Sequence, residues 1–216
     1  MWEFIDKIIY INLDHREDRR EIMKKFFEEG KIPSEKIVRF SAIKRPRGQL
    51  GCVESHMEVL NLANKENWKN VLILEDDLVW SKDFEDNYKK LEELIKIPNW
   101  DVIMLAGWYY KYKFPKLFYA NNCGAYLVNE SYRNKLLNNR KISVNRLKRG
   151  IGFDLNNKKY NADAYWNELI KIDNWYGLNP CICNQIDGFS DICKRDIESS
   201  KVIGIFEPEI KKQVYG

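Results

Sequence analysis

Three carboxylates stand side by side at Glu75-Asp76-Asp77, directly after the apolar run Val71-Leu72-Ile73-Leu74. Side chains alternate along extended backbone, so Glu75 and Asp77 are expected to point the same way. Two carboxylates that converge repel each other unless a cation lies between them. Hard oxygen ligands of this kind suit Mg²⁺ or Mn²⁺, and such an ion could be held against a phosphate. A plainer alternative stays open: acids after a strand often cap the next helix or face water. Arg16 and Arg19 supply a second chemistry, since guanidinium groups can fork onto phosphate oxygens and a helix N-terminus attracts anions. Their alternative is a solvated first turn, paired with Glu17 and Asp18.

The elements that must position these groups can be read from periodicity. Val71–Leu74 is short, branched and continuous, as expected of a buried parallel strand. In an open α/β sheet, ligands bind beyond the carboxyl ends of such strands. Residues 7–13 (KIIYINL) read as the first strand. Asp14 with Glu17 three residues later resembles a capping box. Ile22, Met23, Phe26 and Phe27 then recur at helical spacing, and Gly30 with Pro33 ends that helix. A short strand is expected over 36–40 and a basic loop over 44–51. A second helix, 52–65, carries Val53, Met57 and Leu60 on one stripe.

Phe84, Tyr88, Leu91 and Ile95 mark a third helix stopped by Pro98. Strands follow at 101–105 and 123–128, with a helix from Ser131 to about Asn139. The aromatic stretch Trp108–Phe118 suits sugar or peptide stacking, a core hairpin or an oligomer contact equally. Residues 141–159 read as a basic, Asn-rich loop. Residues 161–170 are expected to be helical and 201–206 a late strand. No repeat or linker divides the chain, so 1–216 is read as a single domain. Alternating strands and helices favour a three-layer α/β fold.

Composition narrows the classes. Of 216 residues, 44% are hydrophobic and 31% charged, with a net charge of +4. That is ordinary for a globular domain with a sizeable core. The basic residues are interleaved with acids, so no nucleic-acid partner is implied, while anionic ligands such as nucleoside diphosphates are compatible. No apolar run is long enough to cross a bilayer. The first residues, MWEFIDK, hold acids where a secretory leader needs a basic and then an apolar stretch, so a cytoplasmic location is expected. Five cysteines without paired spacing argue against a disulfide framework. Cys181, Cys183 and Cys193 lack the Cys-x-x-Cys pair typical of zinc sites, and buried thiols are the better default.

Three segments, YINLDHREDR (10–19), GCVESH (51–56) and ILEDD (73–77), resemble glycosyltransferase family 25 in order and spacing. That family includes lipopolysaccharide and lipooligosaccharide galactosyltransferases and procollagen galactosyltransferases. The likeness continues through Gly124-Ala125-Tyr126-Leu127, the region of Asp163, and Pro180, Gln185 and Ser190. It implies a GT-A type, Rossmann-like nucleotide-diphospho-sugar transferase fold, with a mixed central sheet flanked by helices. It also implies a UDP-sugar donor, a divalent cation, usually Mn²⁺, and inversion at the anomeric carbon.

Under that resemblance Glu75 and Asp77 hold the metal. Asp76 is a further ligand or a partner to sugar and ribose hydroxyls, and Asn12, Asp14, Arg16 and Arg19 surround the nucleotide. Ser55 and His56, after a glycine turn, take donor-site roles, with His56 a hydrogen-bond donor rather than a metal ligand. Gln49 stands where many relatives carry an acid. An inverting transfer needs a base for the acceptor hydroxyl. Asp163 matches a late family acid and is the candidate, with Asp187 and Asp191 in reserve and Trp166 as a surface for a sugar face. The acceptor is expected to be a glycan or a hydroxylysine-containing protein. A bacterial or viral origin fits better than that of the cellular collagen enzymes. The competing readings are an inactive GT-A scaffold that binds nucleotide or a partner protein without turnover, and another metal-phosphate enzyme such as a nucleotidyltransferase.

Overall fold

The structure is a computed structural model that describes residues 1–152, 158–192, 195–197 and 204–205. Its first half alternates strands and helices: β1 (Lys7–Asn12), α1 (Glu17–Glu29), β2 (Ile37–Ser41), α2 (Gly48–Lys65), β3 (Val71–Glu75), β4 (Leu78–Trp80) and α3 (Phe84–Leu94). A long hairpin of β5 (Val102–Lys113) and β6 (Lys116–Val128) follows, then α4 (Glu130–Lys148). Two short helices, α5 (Ala162–Tyr165) and α6 (Asn167–Ile170), lead into small strands: β7 (Trp175–Gly177), β8 (Cys183–Gln185), β9 (Gly188–Ser190), β10 (Arg195–Ile197) and β11 (Gly204–Ile205).

The central sheet is mixed. β1 lies between β2 and β3, parallel to both, and β6 runs antiparallel to β3. The expectation of a parallel β3 therefore holds on one side only. Alternation explains the three layers. Ile9, Ile11, Val71 and Ile73 pack on one face with residues of α2 and α4; Ile8, Leu72 and Leu74 pack on the other with residues of α1 and α3. Both faces of β1 and β3 are covered, which is why these strands read as continuous apolar runs.

Several boundaries differ from expectation, each for a physical reason. The aromatic stretch forms a hairpin: β5 continues through Trp108–Lys113, its register against β6 shifted at four points, with Tyr109 and Leu117 buried and Trp108, Tyr110 and Tyr112 half-buried. Such bulges break the simple alternation that would mark a strand in sequence. Helix α4 runs to Lys148 because Arg140, Ser143, Val144 and Leu147 prolong its buried stripe among polar neighbours. Helix α2 starts at Gly48, inside the expected loop. The 161–170 helix is two separate turns. Asp14 forms no capping box; α1 begins without a side-chain cap, and Asp14 is engaged by Arg39 and Ser41 instead. Of the late strand, Gly204–Ile205 pairs parallel with β5, and the rest lies outside the described residues.

Gly51 sits where α2 passes the preceding loop. A Cβ there would run into the carbonyl oxygen of Ile43. Ser55 secures the same junction, donating to the Gly51 carbonyl at 2.7 Å and accepting from the Ile43 amide at 2.8 Å. Gly51→Ala is expected to destabilise the fold by about 1–3 kcal/mol, the usual cost of overpacking. A urea midpoint unchanged from wild type would contradict this close approach.

Candidate functional site

The carboxyl ends of three adjacent strands build the site. Register pairs Asn12 with Ser41 and Ile11 with Glu75, so Asn12 and Asp76 emerge side by side. The Asn12 side-chain amide donates to Asp76 at 2.7 Å, and Arg19 from α1 donates to Asp76 at 2.6 Å. The same guanidinium group lies 3.2 Å from Asp77 and also donates to the Phe189 carbonyl at 3.0 Å.

Glu75 and Asp77 converge on one donor. Pairing of β4 with β8 sets Leu78 opposite Gln185. The Gln185 amide nitrogen thereby donates to Glu75 Oε2 at 2.7 Å and to Asp77 Oδ1 at 3.1 Å. From Gln185 the network continues to Asn122, whose amide donates to Gln185 Oε1 at 2.6 Å. The Asn122 backbone amide donates to Asp163 Oδ2 at 3.2 Å, which links the α5 acid to the acids beyond β3. Asn122 takes a left-handed conformation (φ 73°) and its Oδ1 accepts from the Gly124 amide, so its side chain is fixed locally.

The electrostatics of the cluster are unbalanced. Burial, reinforced by the neighbouring Glu75 charge, pushes the Asp77 pKa up to about 7 against the pull of Arg19. Burial likewise raises Asp76, despite Arg19 and Asn12. For Glu75 burial is opposed by the contact with His56, which prevails and holds the carboxyl below its usual range. Three carboxylates thus share one arginine and one histidine. A hard divalent cation fits this donor set: it would meet oxygen ligands and offset charge that the protein leaves uncompensated.

Arg16 is anchored between Asp18, at 2.7 Å, and Asp191, at 2.6 Å, so the reserve acid Asp191 is an arginine partner. Asp14 sits at the exposed rim. Ser55 and His56 are buried within α2; Ser55 holds the Ile43 loop, and His56 Nδ1 lies 2.7 Å from the Tyr126 hydroxyl. Asp163 is raised by burial, partly offset by the Asn122 amide. Asp187 is exposed. Trp166 cannot stack on a sugar here, because its side chain is 0% exposed and its indole donates to the Ala120 carbonyl at 2.9 Å. Cys181 and Cys183 are buried as expected, and Cys193 lies outside the described residues.

Sequence reasoning missed the bridging of Gln185 and the link through Asn122. Both depend on contacts more than sixty residues apart, and only the paired Asn121-Asn122 within β6, just before its apolar end, gave a local signal. Among the described residues no helix is long and apolar enough to cross a membrane.

Comparison with known proteins adds independent findings. The model of "Glycosyltransferase family 25 (LPS biosynthesis protein)" matches residues 46–165. A procollagen galactosyltransferase 1-B of Xenopus laevis is 31% identical over 128 residues, 47% of this chain and 21% of that protein. A putative glycosyltransferase of Acanthamoeba polyphaga mimivirus is 31% identical over 122 residues, 46% of this chain and 37% of that protein. The chain therefore spans well under half the length of either relative. Among solved structures, a glycosyltransferase involved in glycosylation of the major capsid of PBCV-1 superposes with a TM-score of 0.50 at 13% identity, covering 79% of this chain and 80% of that one. At that identity the likeness speaks for the fold alone, a GT-A-like mixed sheet flanked by helices.

Proposed function

The chain belongs to glycosyltransferase family 25, and from that premise we propose that it transfers a hexose, galactose or glucose, from a UDP-sugar to a hydroxyl of a glycan or hydroxylysine-containing protein. The observation that carries this reading is the convergence of Glu75 and Asp77 on the Gln185 amide beside Arg19, beyond the carboxyl end of β3. Glu75 and Asp77 would hold Mn²⁺ or Mg²⁺. Such an ion, when bound, supplies Lewis-acid stabilisation to a departing diphosphate.

The chain's own residues do the rest. Arg19 and Arg16 offer cationic hydrogen-bond donors at the edge where a diphosphate would lie. Asn12 and Arg19 hold Asp76 in place, and Asp76 is the proposed partner of sugar or ribose hydroxyls. Asp14, at the rim and oriented by Arg39 and Ser41, flanks the nucleotide. His56 and Ser55 act from behind, His56 on Glu75 and Ser55 on the loop ahead of α2. Asp163 is the proposed base for the acceptor proton. Burial raises its pKa above the ordinary carboxylate range, the direction that makes a carboxylate a stronger base. Transfer with inversion follows if that proton is taken from a hydroxyl attacking opposite the leaving diphosphate.

The test is a donor screen with UDP-Glc, UDP-Gal, UDP-GlcNAc and UDP-Xyl, with Mn²⁺ and with EDTA. The expected result is UDP release from a hexose donor that requires Mn²⁺ and stops with EDTA. Metal-dependent UDP binding without turnover of any donor would favour the inactive scaffold instead. No binding of UDP in the presence of Mn²⁺ would defeat the donor reading altogether.

A further inference from the structure

Behind the acidic edge the chain assembles a second donor set of different character. Cys52 and His56 lie four residues apart in α2, so they share one face of the helix. Cys123 comes from β6 and Glu75 from the end of β3, two strands paired antiparallel up to Leu74 and Ala125. One ligand atom from each of Cys52, His56, Glu75 and Cys123 lies within 4.8 Å of all the others. Around Glu75 Oε1 the separations are 3.3 Å to Cys123 Sγ, 3.6 Å to His56 Nε2 and 4.0 Å to Cys52 Sγ.

We propose that Cys52, His56, Glu75 and Cys123 form a four-coordinate site for a thiophilic divalent ion, Zn²⁺. The spacing fits. With metal–sulfur bonds of about 2.3 Å and metal–nitrogen or metal–oxygen bonds of about 2.0–2.2 Å, tetrahedral ligands stand roughly 3.3–3.8 Å apart. Small side-chain adjustments close the remaining gap. The donor types fit as well: two thiolates and an imidazole select zinc over magnesium or manganese. A supporting shell is in place, since the Tyr126 hydroxyl engages His56 Nδ1 at 2.7 Å and leaves Nε2 facing the cluster.

The site is separate from the donor-side cation although both use Glu75. Oε1 faces the thiols and imidazole, whereas Oε2 faces Gln185 and, through it, Asp77. His56 and Cys123 are buried and all four positions are protein ligands, the pattern of a structural rather than a catalytic zinc. Binding would release both thiol protons to solvent and tie α2 to β3 and β6. It would thereby fix the carboxylate that begins the acidic triplet. The proposal does not rest on the donor reading.

The experiment titrates Co²⁺ into the reduced, EDTA-stripped full chain and follows absorbance. One equivalent should bind with a thiolate-to-cobalt charge-transfer band and intense tetrahedral ligand-field bands, both bleached by stoichiometric Zn²⁺. Cys52→Ser and Cys123→Ser should each lose the charge-transfer intensity that their sulfur contributes. Tyr126→Phe should keep the band and bind about tenfold more weakly, the usual effect of losing a supporting hydrogen bond. Asp77→Asn should leave the band unchanged even if Mn²⁺-dependent UDP binding is lost, which separates failure of one site from failure of the other. A wild-type chain without the band, which needs no variant to fold, overturns the proposal. So does a band of full intensity in both cysteine variants.

Discussion

Asp77→Asn should lower glycosyl transfer on the order of 10³-fold while leaving the metal-free chain more stable than wild type. The loss follows from the proposed role. Asp77 is one of two carboxylates that would hold the cation, and removing one element of a preorganised charge-stabilising site costs on the order of 10²–10³ in kcat. The gain in stability follows from crowding. The folded pKa of about 7 lies above the ordinary 3.8, so the folded chain holds this proton more tightly than the unfolded chain does. Below about pH 4 the group is protonated in both states and costs nothing. The cost grows from there towards pH 7 and is full above it.

The asparagine variant should therefore be stabilised most above pH 7, on the order of 1–2 kcal/mol once the altered Arg19 and Gln185 contacts are set against it. The advantage should fade as the pH falls towards 4. Melting curves with EDTA at pH 5 and pH 8 measure the second effect, and UDP release at saturating Mn²⁺ measures the first. Transfer at the wild-type rate would remove Asp77 from the metal assignment. A variant less stable than wild type at pH 8 would show that the carboxylate is not under strain.

Trp166→Ala should cost about 3–5 kcal/mol, the range for truncating a large buried aromatic side chain. The indole packs edge-on against Tyr126 and Trp175, with ring centroids 5.5 and 5.1 Å apart. The Arg140 guanidinium group lies over it at 4.9 Å. Alanine would leave a cavity, remove the indole hydrogen bond to Ala120 and strip a buried arginine of its aromatic cover. A melting temperature lower by about 10 °C is expected for a chain of this length. Trp166→Phe keeps most of the packing but not the hydrogen bond, and should cost only about 1–2 kcal/mol. A sugar-stacking role predicts the opposite pattern: a raised acceptor KM with little change in melting temperature.

The contrast between Trp166 and Asp77 shows what was legible in the chain. Asp77 follows a short branched run whose strand character and carboxyl-end location are local properties. Its direction relative to Glu75 is the one alternation predicts, and the Gln185 amide meets both carboxylates. Trp166 stands near a candidate base, and proximity in sequence suggested a sugar platform. Only the packing of α5 and α6 against β6 shows that the ring points into the core. Asp14 is similar: the spacing to Glu17 matches a capping box, but Arg39 and Ser41 on the neighbouring strand compete successfully for the carboxylate.

The amino-acid sequence determined the α/β class, the principal strands and helices, and the acidic edge, because each follows from periodicities or neighbours within a dozen residues. It also carried the family likeness, through three separated motifs. Tertiary structure alone decided which donors meet those acids: Gln185 across β4 and β8, Asn122 linking to Asp163, and the Cys52, His56 and Cys123 group behind Glu75. Those meetings depend on strand register and helix placement, where a shift of one residue turns a side chain to the opposite face.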